Sequence, residues 1–122
     1  MLKFKFLLWA LTRLLRNSVK NSPECAKHVM GKDLIFQIRT NEGAGRYFTV
    51  RSGRINSTAG LTGNPKFTLT FKDAARGFAI LSAKDGKEAF LNGLHKQDLA
   101  ISGDFLEVLW FQRLAELLQK KK

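Results

Sequence analysis

Apolar residues recur at intervals of three and four along the first part of the chain. Between residues 2 and 18 this stripe consists of Phe4, Leu7, Leu8, Leu11, Leu14 and Leu15. The interval matches the period of an α-helix and predicts one there. The opposite side of this helix is polar and carries Lys5, Thr12, Arg16 and Lys20.

Basic and aromatic residues outside the stripe suggest a second contact surface on the same helix. They are Lys3, Lys5, Phe6, Trp9, Arg13 and Arg16. Basic side chains beside aromatic rings are typical of a helix that lies in a membrane interface. The alternative is a helix that covers its own domain. Both roles are compatible if Leu8, Leu11 and Leu15 face the domain. Phe6 and Trp9 would then face lipid.

The apolar run from Phe6 to Leu11 is far shorter than the roughly 20 residues that a membrane span needs. We therefore divide the chain into a basic amphipathic helix over residues 1–20 and one domain over residues 21–122. The single Cys25 can form no internal disulfide, which fits a reducing cytoplasm. The expected location is cytoplasmic, peripheral at the inner face of the membrane.

Alternating apolar and polar residues predict five strands further along the chain. Their apolar positions are Leu34, Phe36 and Ile38; Phe48 and Val50; Ile55; Phe67, Leu69 and Phe71; and Leu99 and Ile101. Helices are predicted after the capping residues Ser22, Asp73 and Asp104, and a further short helix follows Gly86. The last helix is apolar over more than half of its circumference, so a ligand, a partner subunit or the N-terminal helix should contact it besides the sheet.

Several segments follow one another in a characteristic order. A strand over residues 67–71 is followed by an apolar helix and then by the segment Lys87–Gly93. The last segment in this order is Leu99–Asp104. Upstream, residues 32–38 and 46–55 supply a first strand, a Gly-containing turn, a second strand and a Gly before the third. This order resembles the sterol-carrier-protein-2 (SCP-2) family. Two features depart from it: residues 94–98 lengthen the step into the last strand, and the chain ends without the peroxisomal Ser-Lys-Leu address.

The resemblance implies an α+β fold with a five-stranded, mixed and mostly antiparallel sheet, one face of which is covered by helices around a hydrophobic tunnel. It implies non-catalytic binding and transfer, or presentation, of a sterol-like, fatty-acyl or isoprenoid lipid at a membrane surface. The alternative is an accessory lipid-binding subunit of a membrane-associated pathway such as ubiquinone biosynthesis. By position, the predicted pocket residues are Phe71, Phe78, Leu81, Phe90, Ile101, Leu106, Leu109, Trp110 and Leu114.

Charge and aromatic content narrow the choice of partner. The formal net charge is +11, and residues 1–32 carry seven basic residues against Glu24 alone. Lipid headgroups and nucleic acid are both anionic candidates. Nucleic acid is disfavoured because most Phe residues fall on the same side as Leu and Ile, leaving Tyr47 as the outward aromatic residue of the strands. Partner enzymes, and pairing of two copies through the terminal helices, remain open.

Candidate catalytic and metal chemistry is sparse. The acidic residues stand singly at turns and caps: Asp33, Asp73, Asp85, Asp98 and Asp104. His28 and His95 are far apart and give no metal-binding spacing. The sequence therefore predicts a binding protein rather than an enzyme, with no metal and no cofactor.

Overall fold

The computed structural model describes residues 2–120, with side-chain burial defined up to residue 117. The last three residues of the sequence are all Lys, and two of them, Lys121 and Lys122, lie outside the described residues. The elements follow the order α1 (Leu2–Asn21), α2 (Pro23–Val29), β1 (Leu34–Thr40), β2 (Gly45–Arg51), β3 (Arg54–Ala59), β4 (Phe67–Phe71), α3 (Ala74–Leu81), α4 (Gly86–His95), β5 (Leu99–Gly103) and α5 (Phe105–Lys120).

The strands form one sheet in the order β3-β2-β1-β4-β5. The β1–β4 pair is parallel and the other three pairs are antiparallel, which confirms the predicted mixed, mostly antiparallel sheet. The register places Phe36 of β1 opposite both Phe48 of β2 and Phe67 of β4. These three rings stack in a row, with centroids 4.9 and 5.0 Å apart.

Helices cover the face of the sheet that carries these rings, and the connection from β3 to β4 crosses the other face. Thr62 in this connection donates its backbone N–H to Oε1 of Gln37, at 3.0 Å. Nε2 of Gln37 donates to Oγ1 of Thr68, at 3.1 Å. The alternation of apolar and polar residues in β1 predicts a solvent-exposed Gln37, but its side chain is buried, with 6% of its surface exposed. Because its amide is hydrogen-bonded at both ends, the cost of burying it is offset.

The predicted caps are confirmed. The side chain of Ser22 accepts from Cys25 N at the start of α2, and that of Asp73 accepts from Arg76 N at the start of α3. Oδ1 of Asp104 accepts from Leu106 N, at 3.0 Å, where α5 begins. Each side chain satisfies a backbone donor that has no partner within its helix.

The lengthened step between α4 and β5 forms a tight helix end. Gln97 adopts a positive φ of 66°, the conformation common just after a helix. The N–H of Asp98 then donates to the carbonyl of Gly93, at 2.8 Å. The carbonyl of Asp98 accepts from Lys72 N beyond the end of β4, at 2.8 Å. The extra residues therefore close α4 and align the chain with β5.

Candidate functional site

Helix α1 presents three faces with different surroundings. Its core face consists of Phe4, Leu8, Thr12 and Leu15, all buried, so the prediction that Thr12 lies on the polar side is wrong. Phe4, Leu8 and Leu15 belong to the same hydrophobic core as the sheet. The second face, with Leu7, Ala10, Leu14 and Ser18, borders a cavity. The third face carries Lys5, Trp9, Arg13 and Arg16 and is exposed.

A close approach at Gly77 holds α1 against α3. A Cβ atom at Gly77 would lie 2.6 Å from Cε1 of Phe4 and 3.2 Å from Cγ of Phe71. The missing side chain leaves room for the edge-to-face pair of these two rings, whose centroids are 6.2 Å apart. Further along α1, Oγ1 of Thr12 lies 2.8 Å from Oγ of Ser57 on β3. Helix α1 is thus fixed over the sheet at two points.

The cavity lies between α1, the sheet, the α3–α4 region and α5, and has a volume of about 520 Å³. Its lining consists of Leu7, Ala10, Leu11, Leu14 and Ser18 of α1; Leu69, Phe71 and Leu99 of the sheet; Ile80, Leu81, Ser82, Ala83, Gly86, Lys87 and Phe90 of the α3–α4 region; and Phe111, Gln112, Ala115 and Glu116 of α5. Most of these side chains are apolar, so the cavity suits an apolar guest better than a charged one.

The polar groups of the lining lie towards the surface. Lys87 is exposed, and Gln112 and Glu116 of α5 are half-buried. Leu14 is also exposed, so the cavity opens to solvent here. The floor is formed by Leu69 and other fully buried side chains of the sheet. The cavity therefore has an apolar floor, and the polar groups of its lining, here called the rim, lie at solvent-accessible positions.

Three of the predicted pocket residues, Phe71, Leu81 and Phe90, line this cavity together. The other six lie elsewhere. Leu114 and Ile101 pack in or against the core, and Trp110 is 8% exposed. Leu106 and Leu109 point outward from α5 with 75% and 45% of their surface exposed. Phe78 borders a separate groove beside α1. Contact of these residues with a ligand stays a prediction.

Trp110 joins α5 to α2. Its Nε1 donates to the carbonyl of His28, at 3.0 Å, and Nε2 of His28 lies 2.9 Å from the carbonyl of Trp110. The two rings stack with centroids 5.5 Å apart. Nζ of Lys32 lies 5.5 Å from the centroid of the indole ring and 2.6 Å from Oε1 of Glu107. The polar tip of Trp110 is therefore satisfied within the protein.

Sequence reasoning missed the cavity residues of α1 and α5. Ala10 and Ala115 are small, and Leu11 falls within the apolar stripe that predicts core contact alone. The available signal was the spacing of Leu7, Ala10 and Leu14, which lie on one side of a helix. Small residues on such a side leave space that larger side chains at the same positions would have filled.

The residues predicted to contact a membrane lie on the surface of α1. Phe6 and Trp9 are 65% and 46% exposed, and their rings are 5.7 Å apart. The guanidinium of Arg13 lies 5.3 Å from the centroid of the Trp9 ring. Lys3, Lys5 and Arg16 are also exposed. Membrane contact itself stays a prediction.

The described residues show no metal-binding cluster, no membrane-spanning helix and no exposed row of aromatic rings on the strands. Residues 2–120 contain no group of three or more His, Cys, Asp or Glu side chains arranged to hold a metal ion. Among the same residues, none of the helices combines the length and the apolar content that crossing a membrane requires. The described strands also leave no row of exposed aromatic rings for base stacking, because Phe36, Phe48, Phe67 and Phe71 are all fully buried.

Comparison with known proteins identifies the fold. No protein-family model matches the sequence, and no curated protein matches it. The structure, however, is similar to that of UbiJ-SCP2, a ubiquinone synthesis protein, with a TM-score of 0.69, 17% identity and coverage of 94% of this chain and 98% of that one. The chain has the SCP2 fold.

Other SCP2 structures support the same conclusion. Sterol carrier protein domain 2 of Helicoverpa armigera gives a TM-score of 0.59 at 18% identity, covering 93% of this chain and 88% of that one. A sterol carrier protein 2 crystal structure gives 0.59 at 13% identity, covering 90% and 94%. The resemblance found in the sequence is confirmed at the level of the fold, including the five-stranded sheet and the N-terminal helix.

Proposed function

We propose that this protein binds a hydrophobic lipid in the cavity under α1 and transfers or presents it at a membrane surface without catalysing a reaction. Sterol-like, fatty-acyl and isoprenoid molecules are the candidate ligands. The observation that carries the proposal is the cavity itself. Its volume of about 520 Å³ lies within the range of about 300–1,000 Å³ that is typical of small-molecule sites.

The mostly apolar lining supports binding through buried apolar surface area rather than through specific polar contacts. Burial of an alkyl chain contributes about 0.8 kcal/mol per methylene group. About ten methylenes therefore suffice for a dissociation constant near 1 μM. Lys87 and Glu116 at the rim would leave a polar headgroup close to water, while Phe71 and Leu81 contact the chain.

Filling the cavity tests this proposal directly. Ala115 lines the cavity and lies outside the group of fully buried core residues. We expect Ala115→Trp to weaken binding of a fluorescent long-chain fatty acid at least about tenfold, because the indole takes space from at least two methylenes of the ligand. Ala79→Trp is the matched control, since Ala79 is exposed on α3 and does not line the cavity. Equal affinities of the two folded variants would contradict the proposal.

Attachment to an anionic membrane is the second part of the proposal, and the exposed face of α1 supports it. Deleting the helix would also remove the buried Phe4, Leu8 and Leu15, so substitution is the cleaner experiment. Replacing Lys5, Arg13 and Arg16 by Gln should lower affinity for anionic vesicles about a hundredfold, because each basic residue near such a surface contributes about 1 kcal/mol.

A matched triple variant checks that location matters as well as charge. Lys66, Lys72 and Lys96 are exposed and lie outside α1. Replacing these three by Gln removes the same charge and should change vesicle affinity by less than about tenfold, since only long-range attraction is lost. If both triple variants lose affinity equally, α1 has only a structural role.

An accessory role is the second candidate function. Phe105, Leu106 and Leu109 form an exposed apolar outer patch on the first turns of α5, a kind of surface that marks interaction sites. The similarity to a ubiquinone synthesis protein supports a lipid-binding subunit that presents its ligand to enzymes of such a pathway. In that case Leu106→Glu with Leu109→Glu should abolish copurification of an enzyme and leave fatty-acid binding unchanged. Loss of self-association by light scattering would instead identify the outer patch as a homodimer contact.

A further inference from the structure

The cavity-facing side of α1 continues beyond the cavity towards the N-terminus. Lys3, Leu7, Ala10, Leu14 and Ser18 are spaced by three and four residues and therefore share one side of the helix, which extends about 22 Å at 1.5 Å per residue. Leu14 and Ser18 line only the cavity, and Lys3 lines only a second, separate groove. Leu7 and Ala10 line both spaces. The two spaces are thus neighbours along one helix face.

The second groove is formed between the first turns of α1 and helix α3. Its lining is Leu2, Lys3, Phe6, Leu7, Ala10 and Phe78, and its volume is about 550 Å³. The apolar side chains at its edge are open to solvent, since Leu2 is 84% and Phe6 is 65% exposed. Water contact with so much clustered apolar surface is unfavourable, so a groove of this kind is expected to have an apolar occupant.

We propose that this groove is the portal through which the apolar chain of a membrane lipid passes between the bilayer and the cavity, with Leu7 and Ala10 as the partition between the two spaces. The inference rests on the proposed function. Every side chain that lines the groove is apolar except Lys3. The ammonium group of Lys3 and the neighbouring Lys5 are complementary to an anionic headgroup or membrane surface.

The partition is thin enough to open by side-chain motion. Leu7 is half-buried, and Ala10 has no side chain beyond Cβ. Rotamer changes of a partly exposed side chain occur on the ps–ns timescale, so Leu7 can move aside without displacing the helix. The core face of α1, which includes the fully buried Phe4, remains in place during such a motion.

The other opening of the cavity is less suitable for an apolar chain. The solvent-accessible part of the cavity lining includes Lys87 and Glu116, which carry opposite charges. An alkyl chain that crosses this rim must displace water from both charged groups, which is costly. A headgroup at this rim keeps its contact with water. From this distribution of charge, we expect the apolar chain of the lipid to pass through the groove. Its headgroup would contact the charged rim.

The rate of transfer identifies which opening the chain uses. A fluorescent long-chain fatty acid is supplied in vesicles of phosphatidylcholine and phosphatidylglycerol, and its arrival in the protein is followed by stopped flow. Leu7→Ala should speed transfer at least about threefold, because a gating side chain is removed. Leu91→Ala is the control, since Leu91 is exposed on α4 and lines neither space, and its transfer rate should stay within about twofold of the wild type. Equal rates for Leu7→Ala and Leu91→Ala would overturn the proposal.

A polar substitution in the groove gives the opposite effect. Phe78 lines the groove but not the cavity, so Phe78→Gln should slow transfer about fivefold or more, because an apolar chain must then desolvate an amide. Leu91→Gln is the control, since Leu91 is similarly exposed on α4 and lines neither space. Both changes are neutral in charge, which preserves attraction to the vesicle. Equal rates for the two variants would overturn the portal.

Equilibrium titration from aqueous solution separates this inference from the proposed function. Phe78→Gln should leave the dissociation constant of the fatty acid within about twofold, because the cavity is intact. If the wild-type protein fails to bind the probe from solution, the proposed function itself is contradicted. If it binds from solution but transfer from vesicles is insensitive to Leu7 and Phe78, only the portal is contradicted.

Discussion

The two halves of α5 border interiors of opposite character. In the first half, Trp110 and Phe111 pack against Phe36 and Phe67, with ring centroids 5.0–6.5 Å apart. In the second half, Ala115 borders a cavity of about 520 Å³. We call the first region, which consists of Phe36, Phe48, Phe67, Trp110 and Phe111, the aromatic core; Phe111 also lines the cavity and marks the boundary between the two regions.

The difference follows from the size of the facing residues. Rings face rings in the aromatic core and fill the space at contact distance. Around the cavity, Ala10 of α1 and Ala115 of α5 both line the space. Small residues on neighbouring helices leave a void that their surroundings do not close. One region can therefore stabilise the fold while the other remains available for a guest.

The largest expected contrast is in stability. Phe67→Ala should lower the free energy of unfolding by about 3–5 kcal/mol, because a fully buried ring is removed from close packing. Leu81→Ala, at the wall of the cavity, should lower it by only about 1 kcal/mol, since Leu81 is partly exposed and already borders a void. Urea denaturation measures both values. Equal losses would show that the two regions are packed alike.

The next effect concerns the helix that covers the cavity. Gly77→Val should destabilise the protein by about 1–3 kcal/mol, because its side chain overlaps the rings of Phe4 and Phe71. Gly63→Val is the control, since a Cβ at Gly63 would meet no atom within 4 Å. Thermal denaturation and hydrogen exchange in α1 provide the measurements. Protection of α1 that survives Gly77→Val would contradict the docking described for this helix.

A smaller effect on stability tests whether Trp110 belongs to the aromatic core rather than to the ligand site. Trp110→Phe keeps an aromatic ring but removes the donor to the carbonyl of His28, so stability should fall by about 1–2 kcal/mol. Trp9→Phe, at an exposed position of α1, should change stability by less than about 0.5 kcal/mol. Fatty-acid affinity should be unaffected by Trp110→Phe. A clear loss of affinity would return Trp110 to the ligand site that the sequence predicted.

The smallest expected effect is a pH dependence of the stability that Asp73 contributes by capping α3. This helix forms part of the cavity wall. The hydrogen bond from the backbone N–H of Arg76, followed by the nearby guanidinium of Arg76, lowers the pKa of Asp73 below its usual value. A lowered folded-state pKa means that the contribution of Asp73 is present above the unfolded pKa and is lost as pH falls through the folded one.

Comparison with Asp73→Asn isolates this contribution. The wild type should be the more stable protein near neutral pH, and the difference in melting temperature should shrink as pH falls below about 4. NMR titration of the Asp73 carboxyl group gives its pKa directly. A midpoint at or above the ordinary aspartate value would contradict the capping role.

The sequence predicted the regular elements well because their signals are local. The alternation of Phe67, Leu69 and Phe71 specified β4, and the side chains of Ser22 and Asp73 specified helix starts. The stripe on α1 correctly placed Leu8 and Leu15 in the core. Such patterns depend on neighbours a few residues away along the chain.

The site was harder to predict because it depends on contacts between distant elements. Helix α5 is apolar on several sides, so periodicity could not tell that Leu106 and Leu109 face solvent while Ala115 faces the cavity. The sequence places Trp110 in the pocket because nothing in it indicates the bond to His28. The burial of Gln37 has no local signal either, since it follows from the crossing of the β3–β4 connection over the sheet.

Native mass spectrometry of the purified protein tests the central claim most directly, because a bound lipid is detected by its mass whatever its chemical identity. The account predicts that wild-type protein and Ala79→Trp retain a lipid that is released on collisional activation, and that Ala115→Trp retains much less of it. Wild-type protein that is folded and consistently free of lipid, and that takes up no fatty acid when one is added, would contradict the claim.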